Sequence, residues 1–377
     1  MSADISVIIS TYNRAEVLRR TLREFTAVDV SGLNVQWVVI DNASTDETPQ
    51  VLAEAPKELE LVALSDDRPG RGFALNKVLD EVELAPVVAF SDDDVTPEPD
   101  WLKRVVESCE RWPEHSVFGG RVIVDWPVDP PPPWTQPRWI QVFGFALHDL
   151  SQDEGPYPEA GYPFGPNFWL RRKVIDEGHR FDEKVGPRPT NRIMGGETML
   201  LVELERVGYK PVYVPSAIVH HRIQPEAMDF KKFEKRAFRF GRGQYYCFGP
   251  PDPESLASSP GRWRRRRWRA IGRECLRYAS TLGRVGSAKL ASRRIYAISK
   301  IALNREALRE AKAGKAQHWG GVSPDEAAGA PKDAAARSAT KARSGAAGVP
   351  GSQGEPFAAE AERALREHGS GDARDGT

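Results

Sequence analysis

The sequence predicts an α/β fold built on a mostly parallel, doubly wound sheet. Three observations predict it. Short β-branched apolar runs, such as Val87-Val-Ala-Phe90, lack the alternation of a half-exposed strand and read as buried on both faces. These runs alternate with amphipathic stretches at the spacing of right-handed βαβ units. Each run passes directly into polar side chains, as expected where ligands gather at the carboxyl edge of a sheet.

The first strand, over 5–9, ends in Ser10-Thr-Tyr-Asn13 and precedes a helix over 14–27 with Val17, Leu18, Leu22 and Phe25 on one face. A second strand, over 35–40, ends in Asp41-Asn-Ala-Ser-Thr-Asp46, a turn whose Ser44 or Asp46 would cap a helix over 47–55. A third strand, over 59–64, leads through the loop Asp66-Asp-Arg-Pro-Gly-Arg-Gly72 into a helix over 73–82. The fourth, over 87–90, runs into Asp92-Asp-Asp94. In extended backbone Asp92 and Asp94 face one way and Asp93 the other. Carboxylates held together raise one another's pKa unless a cation compensates, and Mg²⁺ or Mn²⁺ binds through one or two carboxylates plus substrate phosphates. The alternative is a solvated acidic turn, with Asp94 or Thr96 capping a helix over 97–111.

The pattern then changes. Residues 116–124 read as a strand with a glycine bend, and 126–163, rich in proline and aromatics, as a functional loop or lid. Gly195-Gly-Glu-Thr198 opens a helix that stops at Gly208, placing Glu197 in its first turn. Short strands over 211–215 and 217–219 end at His220-His-Arg222. From Asp229 the chain reads as helical and basic, with sixteen Lys and Arg against three Glu between Arg262 and Lys312. Interleaved apolar residues suit an anionic membrane surface or a solvated helical face, and suit nucleic acid least. From about residue 320 the composition is that of a disordered tail.

Hydrophobic residues make up 40% of the chain and charged residues 28%, so a sizeable core is possible, while 53 bases balance 53 acids and net charge indicates no partner. No G-x-G-x-x-G follows the first strand, which argues against a dinucleotide cofactor. Cys109, Cys247 and Cys275 are too widely spaced for a zinc pattern or a disulfide framework and fit a reducing compartment. Residues 1–4 lack the regions of a signal peptide, and no run is apolar enough to cross a bilayer. A cytoplasmic location, peripheral at the inner face of the plasma membrane, is expected.

Taken together, six stretches resemble glycosyltransferase family 2, with its GT-A, Rossmann-like fold: Val7-Ile-Ile-Ser-Thr-Tyr-Asn-Arg14, Val39-Ile-Asp-Asn-Ala-Ser-Thr-Asp46, Gly72-Phe-Ala-Leu-Asn76, Phe90-Ser-Asp-Asp-Asp94, Gly165-Pro-Asn167, and Gly195-Gly-Glu-Thr198 through Gly208-Tyr-Lys210. The resemblance covers about residues 4–225. It implies a GT-A domain over 1–225, followed by a basic helical region over 226–319 and the tail over 320–377. It implies an inverting, metal-dependent transferase that moves a sugar from a nucleotide-diphosphate donor to a hydroxyl of a carbohydrate or lipid-linked acceptor, in cell-surface glycan or glycolipid synthesis. Thr11, Tyr12, Arg14, Asp41, Asn42, Asn76, Asp92 and Asp93 would bind the nucleotide-sugar. Asp94 and His221 would hold Mg²⁺ or Mn²⁺, with help from Asp92, and Glu197 would be the catalytic base. Gly196 stands where the family has an acid before the base. A catalytically inactive nucleotide-sugar or membrane-surface binding protein therefore stays open. A sugar nucleotidyltransferase is the third reading, disfavoured by the absence of a glycine-rich basic loop after the first strand.

Overall fold

The computed structural model of the chain describes residues 3–158, 161–186, 192–282 and 287–314. The tail expected to be disordered lies outside them. The N-terminal half is built from β1 (Ile5–Thr11), α1 (Ala15–Phe25), β2 (Val35–Asp41), α2 (Thr48–Ala53), β3 (Val62–Ser65), α3 (Arg71–Glu81) and β4 (Val87–Asp92). A short β5 (Val95–Pro97) and α4 (Trp101–Arg111) follow, then β6 (Val117–Asp125), α5 (Arg138–Phe145), β7 (Gly155–Pro156), β8 (Phe168–Arg171) and α6 (Arg172–Asp176). The last elements are α7 (Gly196–Arg206), β9 (Val212–Arg222), α8 (Phe230–Phe248), α9 (Pro253–Ser258), α10 (Pro260–Ala279) and α11 (Ala288–Lys312).

One sheet runs β3-β2-β1-β4-β8-β6-β9-β5, with β7 paired to β9. Its first four strands are parallel, as expected. The far half is mixed, because β8 enters antiparallel to both β4 and β6. In the parallel half, alternate residues feed two cores, which explains why these strands read as unbroken apolar runs. Ile5, Val7, Ile9, Trp37 and Val39 pack with Leu18, Leu22 and Phe25 of α1 and Trp101, Leu102 and Val105 of α4. Ile8, Val38, Ile40, Val88 and Phe90 pack with Leu75, Val78 and Leu79 of α3 and Leu200, Leu201 and Leu204 of α7. A third, aromatic core joins Trp134, Phe143 and Phe145 to Phe233 of α8 and Ile295 of α11.

The structure redraws several expected elements. The two short strands over 211–219 form the continuous β9, and Pro215 lies where the register against β6 slips between Gly120 and Arg121. The residues 215–217 bulge out there. The segment 126–163 carries the eight-residue α5, whose aromatic side chains face the third core rather than a solvent-exposed lid. Asp46 binds the backbone N–H of Thr48 and of Ala15, tying the starts of α2 and α1 together. The chain after Asp94 forms β5, and α4 begins only at Trp101.

Candidate active site

The register of the parallel strands assembles the site. Thr11 lies beside Asp41 and Ser10 beside Asp92, so three strand ends deliver their polar residues to one rim. β4 stops at Asp92, and Asp93 and Asp94 occupy a turn. The expected alternation therefore fails: the strand geometry that imposes it ends one residue too early. Arg14 instead forks across Asp93 and Asp94, with Nη2 2.7 Å from Asp94 Oδ2. Thr11 Oγ1 donates to Asp93 Oδ2 at 2.7 Å. The turn is held from behind by Thr21, whose hydroxyl donates to the Asp93 carbonyl, and by the backbone N–H of Arg222, which donates to the Asp94 carbonyl.

Asp92 takes a different partner. Arg71, the first residue of α3, donates to Asp92 Oδ1 at 2.7 Å and also pairs with Glu197. This bridge joins the acidic triplet to the first turn of α7. Gly165 lies over the same carboxylate, where a Cβ would come within 3.2 Å of Glu197 Oε1. Arg71 was not singled out by the sequence. A lone arginine in a glycine-bearing loop carries no pattern, and its partners are remote along the chain.

Asp41 and Asn42 are buried at the end of β2. Asp41 Oδ1 accepts from the backbone N–H of Ser44. The Asn42 amide donates to the Arg68 carbonyl and accepts from Gly70 N–H, both at 2.8 Å, so it shapes the loop that presents Arg71. Both ends of the Asn76 amide are engaged by the backbone of Phe181. Tyr12 is exposed at the rim. Asn167 is fully buried and accepts from Trp101 Nε1 while donating to the carbonyls of Arg121 and Ala217. It pins the β9 bulge against β6.

Burial raises the pKa of Asp92, which Arg71 only partly offsets. Burial likewise lifts Asp93 to about 6 against the pull of Arg14. Asp94 is pushed the other way: His221 and then Arg14 overcome burial and hold it below the usual carboxylate range. His221 Nδ1 donates to the Phe145 carbonyl at 2.7 Å, which turns Nε2 towards Asp94 Oδ1 at 3.4 Å. Its pKa is raised, because Asp94 outweighs the opposing effect of burial. His220 is half-buried and hydrogen-bonded to Glu98 at 2.6 Å.

Oxygen donors with one imidazole suit Mg²⁺ or Mn²⁺. Asp94 Oδ1 is buried and accepts no hydrogen bond, so one such donor atom is available. Among the described residues no three His, Cys, Asp or Glu side chains already converge at ion-binding spacing. Arg14 and Arg71 hold the neighbouring carboxylates in this state.

The α/β sheet thus carries acidic strand ends on one rim and, bridged to them by Arg71, a carboxylate on α7. Residues 6–178 match the model of glycosyl transferase family 2 and form a family 2 glycosyltransferase domain. The fold is a mixed α/β sheet with flanking helices, to which C-terminal helices are added. The chain is similar to a glucosyl-dolichyl phosphate glucuronosyltransferase of Haloferax volcanii, 24% identical over 238 residues, 62% of this chain and 74% of that one. It is also similar to glycosyltransferase AglE of the same organism, 25% identical over 64% of this chain and 72% of that one. Among solved structures, a mannosyltransferase from Pyrobaculum calidifontis, in complex with GDP-Man and Mn²⁺, aligns with a TM-score of 0.46 and 16% identity over 99% of this chain and 89% of that one.

Proposed function

We propose that the chain transfers a sugar, with inversion, from a nucleotide-diphosphate donor to a hydroxyl of a lipid-linked or polysaccharide acceptor. The observation that carries this reading is the Arg71 bridge, which brings Glu197 to the same rim as Asp92. Glu197 would take the proton of the acceptor hydroxyl. The freed oxygen would attack the anomeric carbon from the face opposite the diphosphate. Arg71 keeps the carboxylate in place, and Gly165 leaves it uncovered on one side. Asp94, Asp92 and His221 would hold Mg²⁺ or Mn²⁺, which supplies neutralisation of charge on the departing diphosphate. Thr11, Tyr12, Arg14, Asp41, Asn42, Asn76 and Asp93 would line or shape the donor side. The lipid-linked acceptor is supported by the name of the Haloferax glucuronosyltransferase.

No helix among the described residues is long and apolar enough to cross a membrane. α10 offers another route to a lipid acceptor. Its exposed face carries Trp268 (63% exposed) and Leu276 (75%) among Arg264, Arg265, Arg269 and Arg273. An aromatic anchor set among guanidiniums suits the headgroup layer of an anionic membrane. Co-sedimentation with phosphatidylglycerol vesicles, and none with phosphatidylcholine, is expected, with binding reduced in Trp268→Ala.

The decisive measurement is donor hydrolysis and transfer with Mn²⁺. Glu197→Gln is expected to lower kcat by about 10²–10⁴-fold, and Asp94→Ala by at least about 10²-fold. Unchanged turnover in both variants removes the mechanism. Nucleotide-sugar binding without any turnover in the parent protein supports the inactive binding reading, for which the Gly196 position leaves room.

A further inference from the structure

The carboxylates at the rim already have guanidinium partners in Arg14 and Arg71. Three further arginines converge on the same place without one. Arg236 and Arg239 lie on α8, and Arg192 lies just before α7. None of the three forms an ion pair among the described residues, and the Arg236 Nε is buried with no hydrogen-bond partner.

Backbone packing directs this face of α8 to the site. A Cβ at Gly243 would lie 2.1 Å from the Met194 carbonyl, so the helix backbone rests directly on the segment that leads into Glu197. One turn on, Cys247 Sγ lies 3.4 Å from the Gly195 carbonyl. Arg236 and Arg239 precede Gly243 by seven and four residues, which places them on the same helix face, nearer the acidic turn. Burial, and then the neighbouring charge of Arg192, press the Arg236 pKa down to about 10, while Asp94 and Asp92 pull it up. Like charges gathered together, Arg236 and Arg239 half-buried and Arg192 exposed, with the nearby acids already paired, mark a site built for an anion that arrives from outside.

We propose that Arg192, Arg236 and Arg239 form a phosphate-binding site that takes the diphosphate of the donor. This rests on the donor reading above and extends it, because α8 lies beyond the residues that match the family model. The C-terminal helices would then complete the donor site as well as carry the α10 face.

The test is titration calorimetry on the full chain with Mn²⁺, using uridine, guanosine and thymidine diphosphates, the matching monophosphates, inorganic pyrophosphate and a polyprenyl phosphate. For the nucleoside diphosphate that binds, Arg236→Gln is expected to weaken binding by about 10- to 100-fold. Arg239→Gln should weaken it in the same direction, and the monophosphate should change less than either. Arg236→Lys should recover part of the loss, which separates charge from folding, with melting temperature as the control. Unchanged diphosphate and pyrophosphate affinity in both glutamine variants overturns the proposal. So does a loss confined to polyprenyl phosphate, which moves the site to the acceptor. If no nucleotide binds the parent protein, yet pyrophosphate binds and Arg236→Gln abolishes it, the donor reading fails while the anion site stands. If the parent binds neither pyrophosphate nor nucleotide, the anion site falls as well.

Discussion

The acids and the bases of this site are treated differently by the fold. Each of Asp92, Asp93, Asp94 and Glu197 is met by Arg14 or Arg71, and the turn behind them is fastened by Thr21 and Arg222. Arg192, Arg236 and Arg239 are brought up by α8 and the segment before α7 and given no carboxylate. The paired set is part of what holds the resting protein together. The unpaired set is a cost that the resting protein carries. That difference teaches which charges serve the fold and which await a ligand.

The largest expected effect strikes the paired side. Arg71→Met leaves Asp92 and Glu197 at a partly buried rim without their shared cation, and should destabilise the protein by about 3 kcal/mol in urea unfolding. A loss below about 1 kcal/mol would show that the bridge is not structural. The next effect, taken over one pH unit, concerns a buried base that can discard its charge. His148 lies against Tyr157, 2.7 Å from its hydroxyl. Burial, and then Arg138, push the His148 pKa down from 6.5 to about 3. Between those values the unfolded chain binds a proton that the folded chain refuses. Stability should therefore fall as the pH drops through that window, by up to about 1.4 kcal/mol per pH unit, and His148→Phe should flatten the slope. The smallest effect is expected on the unpaired side. Arg236→Met should change stability by less than about 0.5 kcal/mol or raise it, since it removes a charge without stranding another. A large loss there would mean that Arg236 serves the fold after all.

Much of the parallel half was legible because its strands are apolar on both faces and end abruptly in polar residues. That pattern located the ends of β1, β2 and β4, and with them Thr11, Asp41 and the acidic triplet. The first-turn position of Glu197 was legible from helix-start chemistry in Gly195-Gly-Glu-Thr198, and its candidate role came from the resemblance. What escaped notice depends on partners far along the chain. Arg71 acquires its meaning only when α3 and α7 meet on one face of the sheet. The aromatic segment that became α5 has too few residues for a clear helical period, and its contacts come from α8. Arg236 looked like one basic residue among many, because a composition count cannot tell a solvated guanidinium from one turned inward.

The seat of Gly243 beneath Met194 has a practical corollary. Shortening the chain after β9 would remove the support on which the Glu197 turn rests, together with the α8–α11 contact at Gly241, where a Cβ would come within 2.0 Å of the Ser299 carbonyl. Hybrids that exchange C-terminal halves between relatives would have to carry a glycine at each of these two points, or the graft would lift the base off its footing.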